Sequence, residues 1–348
     1  MADRKSLFDI SWQVDEPTYR EDPGYSYSTL AKFNREGFAK LDSLFDRVST
    51  PSLTFGSMVD TLLTDGEAAF NERFFVANFP AISDSVINIV KELFVQNGDK
   101  YFSLNSIPDN TILECITLAN YQPRWKPETR IKDIRDKGSE YYNQLIASNG
   151  KEVVSQEDYQ DCLNCIDALR NSEATKEYFK ITSPWEDKER LYQLKFRGTY
   201  EGINLRCMAD LIIVDHKNKT VQPCDLKTSS HMEYEFHKSF IQWNYWIQAQ
   251  LYWYIIRQNM DADPYFKDFK LLDYVFIVVN RKTVNPLTWI YDKTTSQVDI
   301  TLPNGFVCRN WRTIVKELDY YLKNPSRVPI GIVYNKPNNI TSWLEIDM

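Results

Sequence analysis

Residues 202–230 read GINLRCMADLIIVDHKNKTVQPCDLKTSS, and residues 240–254 read FIQWNYWIQAQLYWY. The first stretch holds two apolar runs joined by a polar turn, and each run carries a carboxylate. Asp210 precedes Leu211-Ile212-Ile213-Val214, and Asp225 follows Val221-Gln222-Pro223-Cys224 with Lys227 two positions on. Side chains at i and i+2 of a strand share a face. Asp225 and Lys227 are therefore expected to point together, while Leu226 points the other way and leaves its carbonyl at the strand edge. Two carboxylates, one carbonyl and one ammonium converging on a point would make a divalent-metal site beside a cation, the equipment for cutting a phosphodiester.

An Asp-x-Lys triplet by itself carries little. It recurs at Asp3-Lys5, Asp215-Lys217 and Asp268-Lys270, where a solvated turn or strand end explains it. Context separates Asp225-Leu226-Lys227 from these. A second Asp lies one hairpin earlier, and the helical stretch that follows places Gln248 and Tyr252 one turn apart. That helix also has a plain reading, because Trp243, Trp246, Ile247, Leu251, Tyr254 and Ile255 make a core stripe.

In combination, these residues resemble the PD-(D/E)XK nuclease superfamily, and more narrowly the phage recombination exonucleases related to RecE and the RecB nuclease domain. In that pattern an acid precedes a strand, D-x-K follows, and a helix carries Q-x-x-x-Y. Asp210, Asp225-Leu226-Lys227 and Gln248-Ala249-Gln250-Leu251-Tyr252 take those places, and Tyr245 extends the match. Softer similarities lie upstream, at Tyr25-Ser26-Tyr27-Ser28-Thr29-Leu30, at Phe55 to Leu63 and at Gly150 to Tyr159. Together they span roughly residues 25 to 295.

The resemblance implies a metal-dependent DNA nuclease. Asp210, Asp225 and the Leu226 carbonyl would hold Mg²⁺ or Mn²⁺. Lys227 would orient the attacking water or neutralise the scissile phosphate, and Gln248 and Tyr252 would hold the DNA strand or position Lys227. Many relatives have His where this chain has Asp60. Asp60 either supplies a harder oxygen ligand in its place or is a plain exposed helix residue. The resemblance further implies resection of double-stranded DNA ends in phage recombination or replication, with a single-strand annealing protein as partner and a homo-oligomeric ring as assembly. Three readings stand: such an exonuclease, an endonucleolytic or structure-specific nuclease of the same fold, and a non-catalytic DNA-binding or scaffold protein.

The remaining composition sets bounds. The chain has 348 residues, 43% hydrophobic and 14% aromatic, enough for a sizeable core. Its net charge of −7 argues against indiscriminate nucleic-acid binding but leaves room for a local basic track. The candidate track is Arg124 to Lys137, with Trp125 available for stacking. Asp133 and Asp136 interrupt it, which favours a salt-bridged surface helix. Cys162 and Cys165 form one C-x-x-C with no second pair, so free buried thiols are expected. The N-terminal residues lack an apolar signal segment and no run approaches a membrane span, so a cytoplasmic protein is expected, in the bacterial host if phage-encoded.

The periodicity predicts an α+β fold: a helical N-terminal half, then a mixed β-sheet core flanked by helices, as in PD-(D/E)XK nucleases. The expected organisation is a flexible arm over 1–24, a helical region over 25–182, a nuclease core over 183–324 and a tail over 325–348. Predicted helices run over Thr29–Phe45, Ser57–Leu63, Ser83–Gln96, Ile112–Asn120, Glu128–Ser148, Ser155–Arg170, Phe240–Gln258 and Asn310–Leu322. Predicted strands run over Leu191–Thr199, Ile203–Val214, Thr220–Lys227, Leu271–Asn280 and Leu287–Tyr291. Glu201 is a further candidate acid, with a surface strand position as its simpler account.

Overall fold

The structure is a computed structural model and describes residues 4–46, 50–78, 82–183 and 186–327. The chain divides into two compact units, one of Met1–Ser52 with Asp167–Met348 and one of Leu53–Ile166. The first unit is built on a mixed sheet, and the second is mainly helical.

In chain order the N-terminal helices are α1 (Glu16–Glu21) and α2 (Tyr27–Glu36). Next come α3 (Pro51–Thr64), α4 (Gly66–Arg73), β1 (Phe74–Ala77), α5 (Asp84–Asn97), α6 (Asp109–Leu118), α7 (Pro127–Ala147), β2 (Glu152–Ser155) and α8 (Gln156–Asn171). The chain then runs through α9 (Lys176–Phe179), β3 (Lys188–Tyr200), β4 (Ile203–Asp215), β5 (Thr220–Ser229), α10 (Phe236–Trp243) and α11 (Tyr245–Ala262). It closes with β6 (Lys270–Leu271), β7 (Tyr274–Asn280), β8 (Leu287–Tyr291), β9 (Ile300–Thr301), β10 (Val307–Cys308) and α12 (Trp311–Lys323).

The main sheet has the order β3-β4-β5-β7-β8, with β6 beside β5. β3, β4 and β5 form the expected antiparallel meander, β5 and β7 run parallel, and β7 and β8 are antiparallel. A parallel neighbour requires a crossover, and α10 and α11 lie within it. α11 covers one face of the sheet through Trp246, Ile247, Leu251, Ile255 and Ile256, all fully buried. This is the predicted α+β architecture.

β3 and β4 do not alternate evenly. On the face that packs in this core, β4 presents Ile203, Leu205, Cys207 and Ala209, then Ile212 and Val214. β3 presents Leu194 and Phe196, with Leu191 partly buried against the same core. Each strand thus carries one extra residue, and the two extras fall at one level. The register passes from Tyr192↔Leu211 to Leu194↔Ala209 with the Gln193–Asp210 pair missing between them. Gln193 has φ of 52°, in the left-handed region, although it lies inside a strand.

The helical unit packs α5, α6 and α7 around Val86, Ile89, Val90, Leu93, Ile112, Ile116, Ile134 and Tyr142. Gly138 of α7 sits where a Cβ would come 2.5 Å from Val90 Cγ2 and 3.1 Å from Leu104 Cδ2, so glycine is needed for the close approach. β1 and β2 pair in parallel.

Several boundaries differ from the sequence reading, each for a local reason. Residues 4–24 were expected to be flexible, but they fold and are strapped to the sheet. Trp12 N–H donates to the Lys195 carbonyl at 2.7 Å and Tyr25 N–H to Asn204 at 2.9 Å. Arg206 donates to the carbonyls of Tyr19 and Gly24, and Arg197 pairs with Asp22 at 2.5 Å. Leu7 and Tyr19 anchor this segment in the interior. α2 stops at Glu36 rather than continuing to Phe45, because Gly37 caps it at φ 66°. With α2 it is residues 1–52, not a helical region from residue 25, that belong to the sheet unit. The single helix expected over Phe240–Gln258 is broken at Asn244, whose φ of 59° is left-handed and whose amide donates to the Ile241 carbonyl at 2.8 Å. The expected tail begins as a short turn at Pro325–Arg327, and its remainder lies outside the described residues, as do residues 1–3 of the arm.

Candidate metal and active site

β5 pairs with β4 along its first half and with β7 along its second. Its pairing with β4 runs from Asp215↔Thr220 to Leu211↔Cys224 and stops there. Its pairing with β7 continues from Cys224↔Val275 to Ser229↔Asn280. The first pair missing from the β4–β5 ladder would be Asp210 with Asp225, level with the extra residues of β3 and β4. β4 therefore leaves β5 at the point where the two candidate acids face each other.

Asp210 spans the gap. Its Oδ2 accepts the backbone N–H of Leu226 at 3.0 Å. In a strand the N–H and carbonyl of one residue project to the same side, so the Leu226 carbonyl also points toward the opening beside Asp210. Asp225 lies on the face covered by α11 and is only 1% exposed. Its Oδ1 accepts the side-chain amide of Gln248, and its Oδ2 lies 2.5 Å from Lys227 Nζ. Lys227 shares that face, as the alternation requires, and its ammonium stands 4.6 Å from the centre of the Tyr245 ring.

The electrostatics follow from burial and these partners. Burial works against the Lys227 ammonium, but Asp225, Tyr245 and Asp210 outweigh it and hold the lysine above its ordinary value. Burial pushes Tyr252 and Tyr274 well above the usual tyrosine range, and the carboxylate charges of Asp225 and Asp210 add to it. Tyr27 and Tyr245 are raised as well, again chiefly by burial. All four remain neutral phenols around the two acids.

The sequence-predicted residues divide as follows. Asp210, Asp225, Leu226, Lys227 and Gln248 come together. Tyr252 lies one turn beyond Gln248 on α11, buried against Tyr274 with ring centres 6.4 Å apart. Asp60 stands on α3 in the helical unit, half-buried. Glu201 lies at the β3–β4 turn in an exposed ion pair with Lys316. Part of the basic track is taken up locally, Lys137 by Asp133 at 2.8 Å, Arg135 by Asp109 at 2.7 Å and Arg130 by burial, while Arg124, Lys126 and Lys132 stand exposed. All six cysteines are free and buried.

Three surrounding residues escaped the sequence reading. Tyr274 faces the acids because it is in phase with Phe276, the partner of Asp225. Tyr27, on α2, lies with its ring centre 6.1 Å from that of Tyr245 and donates to the Trp243 carbonyl at 2.7 Å. Tyr19 lies close enough to Tyr252 to influence it. Only the pairing of distant segments brings these side chains to the site.

The donors present fit a hard divalent cation. Asp210, Asp225 and the Leu226 carbonyl are all oxygen ligands, and Mg²⁺ is commonly held by one or two carboxylates with water and substrate phosphate completing the shell. The buried Gln248 Oε1 beside Asp225 has no hydrogen-bond partner among the described residues, an acceptor suited to water on such an ion. Among the described residues no three His, Cys, Asp or Glu side chains gather as a metal cluster.

Residues 26–304 match the family model described as a PDDEXK-like domain of unknown function (DUF3799). The chain belongs to this family. A solved structure from Eubacterium rectale described as "Putative exonuclease" is similar over 95% of each chain, at 12% identity and a TM-score of 0.41. Comparison with curated proteins finds no match. No described helix of this PDDEXK-like chain is long and apolar enough to cross a membrane.

Proposed function

We propose that this PDDEXK-like protein is a divalent-metal-dependent deoxyribonuclease that resects double-stranded DNA ends as an exonuclease. One observation carries the reading: Asp210 reaches across the parted β4–β5 ladder to Leu226 N–H, which sets it beside Asp225 and Lys227. Asp210, Asp225 and the Leu226 carbonyl would hold the ion, with Asp60 a candidate further ligand. A bound Mg²⁺ or Mn²⁺ supplies Lewis-acid polarisation of the phosphate and a water of lowered pKa.

The other roles belong to the chain. Gln248 fixes Asp225 through Oδ1, leaving the second oxygen for Lys227 and the ion. Lys227 stays protonated and places a compact positive charge where a scissile phosphate oxygen would lie. Tyr245 supports that ammonium on its ring face. Tyr252 and Tyr274 exclude water from behind Asp225. Phage recombination, an annealing-protein partner and a homo-oligomeric ring complete the reading and rest on the family resemblance; a cytoplasmic setting rests on the polar N-terminal residues.

The test is degradation of end-labelled linear duplex DNA in Mg²⁺, with EDTA and Lys227→Ala as controls. Loss of label that needs both metal and Lys227 supports the proposal. Cutting of closed circular DNA would move it to an endonuclease, and intact DNA in Mg²⁺ and Mn²⁺ alike would leave a non-catalytic DNA-binding role. Asp60→Asn tests the further ligand through the Mg²⁺ concentration that gives half-maximal activity.

A further inference from the structure

We infer that the left-handed backbone at Gln193 is a positioning device for Asp210, an inference that rests on the metal-site reading above. Eight non-glycine residues have positive φ among the described residues. Seven of them, including Asn120, Lys219 and Asn244, lie in turns, in loops or between helices, where such geometry is usual. Gln193 is the eighth and lies inside β3, where no change of chain direction calls for it.

A Cβ disfavours the left-handed region, so a strand that keeps a residue there must gain something. The gain is visible across the ladder. Gln193 stands at the missing pair with Asp210, flanked by Tyr192↔Leu211 and Leu194↔Ala209. The extra residue in β3 lets β4 carry one as well without losing register on either side. Bulges of this kind re-aim a side chain or end a pairing, and both happen here. β4 parts from β5 after Leu211↔Cys224, and the Asp210 carboxylate turns into the opening to meet Leu226 N–H. A regular β3 would hold β4 in even alternation and keep its ladder to β5 closed at Asp210. Gln193 is a positioning residue that acts through Asp210.

The inference concerns the backbone rather than the amide, which makes it separable by substitution. Gln193→Gly adopts the same φ without cost, and Gln193→Ala keeps it while removing the amide. Gln193→Val is β-branched and strongly disfavoured in that region; Val284 adopts it only in the loop that Glu233 holds. The measurements are Mn²⁺ affinity by direct titration of the purified protein, thermal midpoint without metal, and DNA cleavage as a function of Mg²⁺.

The Gly and Ala variants should bind Mn²⁺ within about twofold of wild type, and Gly should match or exceed the wild-type midpoint. The Val variant should bind Mn²⁺ about tenfold or more weakly, as displaced supporting groups do at metal sites, with a parallel rise in the Mg²⁺ needed for cleavage. If Val does not fold, Gln193→Thr makes the same β-branched comparison with a smaller apolar surface. Wild-type affinity in the β-branched variant overturns the inference, and so does loss of affinity in Gly, which would assign the role to the amide. A wild type that binds no Mn²⁺ overturns the metal-site reading along with it, whereas a metal-binding wild type with an indifferent Val variant overturns this inference alone.

Discussion

Lys227 holds its ammonium between the Asp225 carboxylate, 2.5 Å away, and the face of Tyr245, 4.6 Å from the ring centre. The pair is enclosed, with 17% of the lysine side chain and 1% of the aspartate side chain exposed. An enclosed cation depends on its anion, so the two candidate metal-binding acids differ in what else they do.

Removing a metal-binding carboxylate is often expected to leave stability intact, because it relieves repulsion. Asp210→Asn should follow that expectation. Asp225→Asn should not, since it leaves the Lys227 ammonium enclosed without its partner. We expect a loss of about 1–3 kcal/mol, read as a lower denaturant midpoint, while Asp225→Asn combined with Lys227→Met recovers most of it. Equal midpoints for the two single variants would refute this.

Alkaline stability should report the buried tyrosines and Lys227. Each has a folded pKa above its ordinary value of 10.0 or 10.5, so its contribution is complete below that value and is lost as pH rises toward the folded pKa. Thermal midpoints should therefore carry no loss from these groups between about pH 7 and 9.5 and fall above about pH 10. Absorbance titration should show Tyr252 and Tyr274 ionising only on unfolding, and Tyr252→Phe should reduce the alkaline loss.

Glu233 is a buried acid outside the candidate site, 2% exposed. It accepts Asn280 N–H at 3.0 Å, Asn285 N–H at 2.8 Å and the Thr283 hydroxyl at 2.7 Å. These bonds hold the β7–β8 loop, in which Val284 adopts φ of 49°. Glu233→Ala should cost about 2–4 kcal/mol and speed amide exchange at Asn280 and Asn285. Unchanged exchange there would show that the loop holds itself.

Gly138→Ala tests the close approach of α7 to α5. Alanine favours a helix, yet its methyl would meet Val90 Cγ2 at 2.5 Å. Overpacking should win by about 1–3 kcal/mol, lowering the thermal midpoint. A stabilised variant would mean that Val90 turns aside freely.

The meander, the strand that became β7 and the shared face of Asp225 and Lys227 were legible because each rests on local periodicity, whereas the parallel pairing of β7 with β5 was not. The paired extra residues at Gln193 and Asp210 were not. LYQLKF and MADLII each read as ordinary strand, and the irregularity exists only when the two are aligned. Residues 4–24 misled by composition: their polar, proline-containing sequence hides Leu7 and Tyr19, whose burial depends on β3 and β4. Arg124 to Lys137 offered cations on one face, but Asp109 and Asp133 take up two of them and packing takes up Arg130. Asn244 is a left-handed break that asparagine permits but does not demand, so the helix over 240–258 read as continuous.

The sheet unit is assembled from both ends of the chain, with residues 53–166 inserted between its two parts. During synthesis the inserted helical unit leaves the ribosome complete while its host holds only α1, α2 and their neighbours. Leu7, Leu30 and Phe33 must wait for partners as distant as Ile314 and Leu318. Contacts of such separation close slowly, so the order of folding should depart from the order of emergence: the middle of the protein first, and its beginning only together with its end.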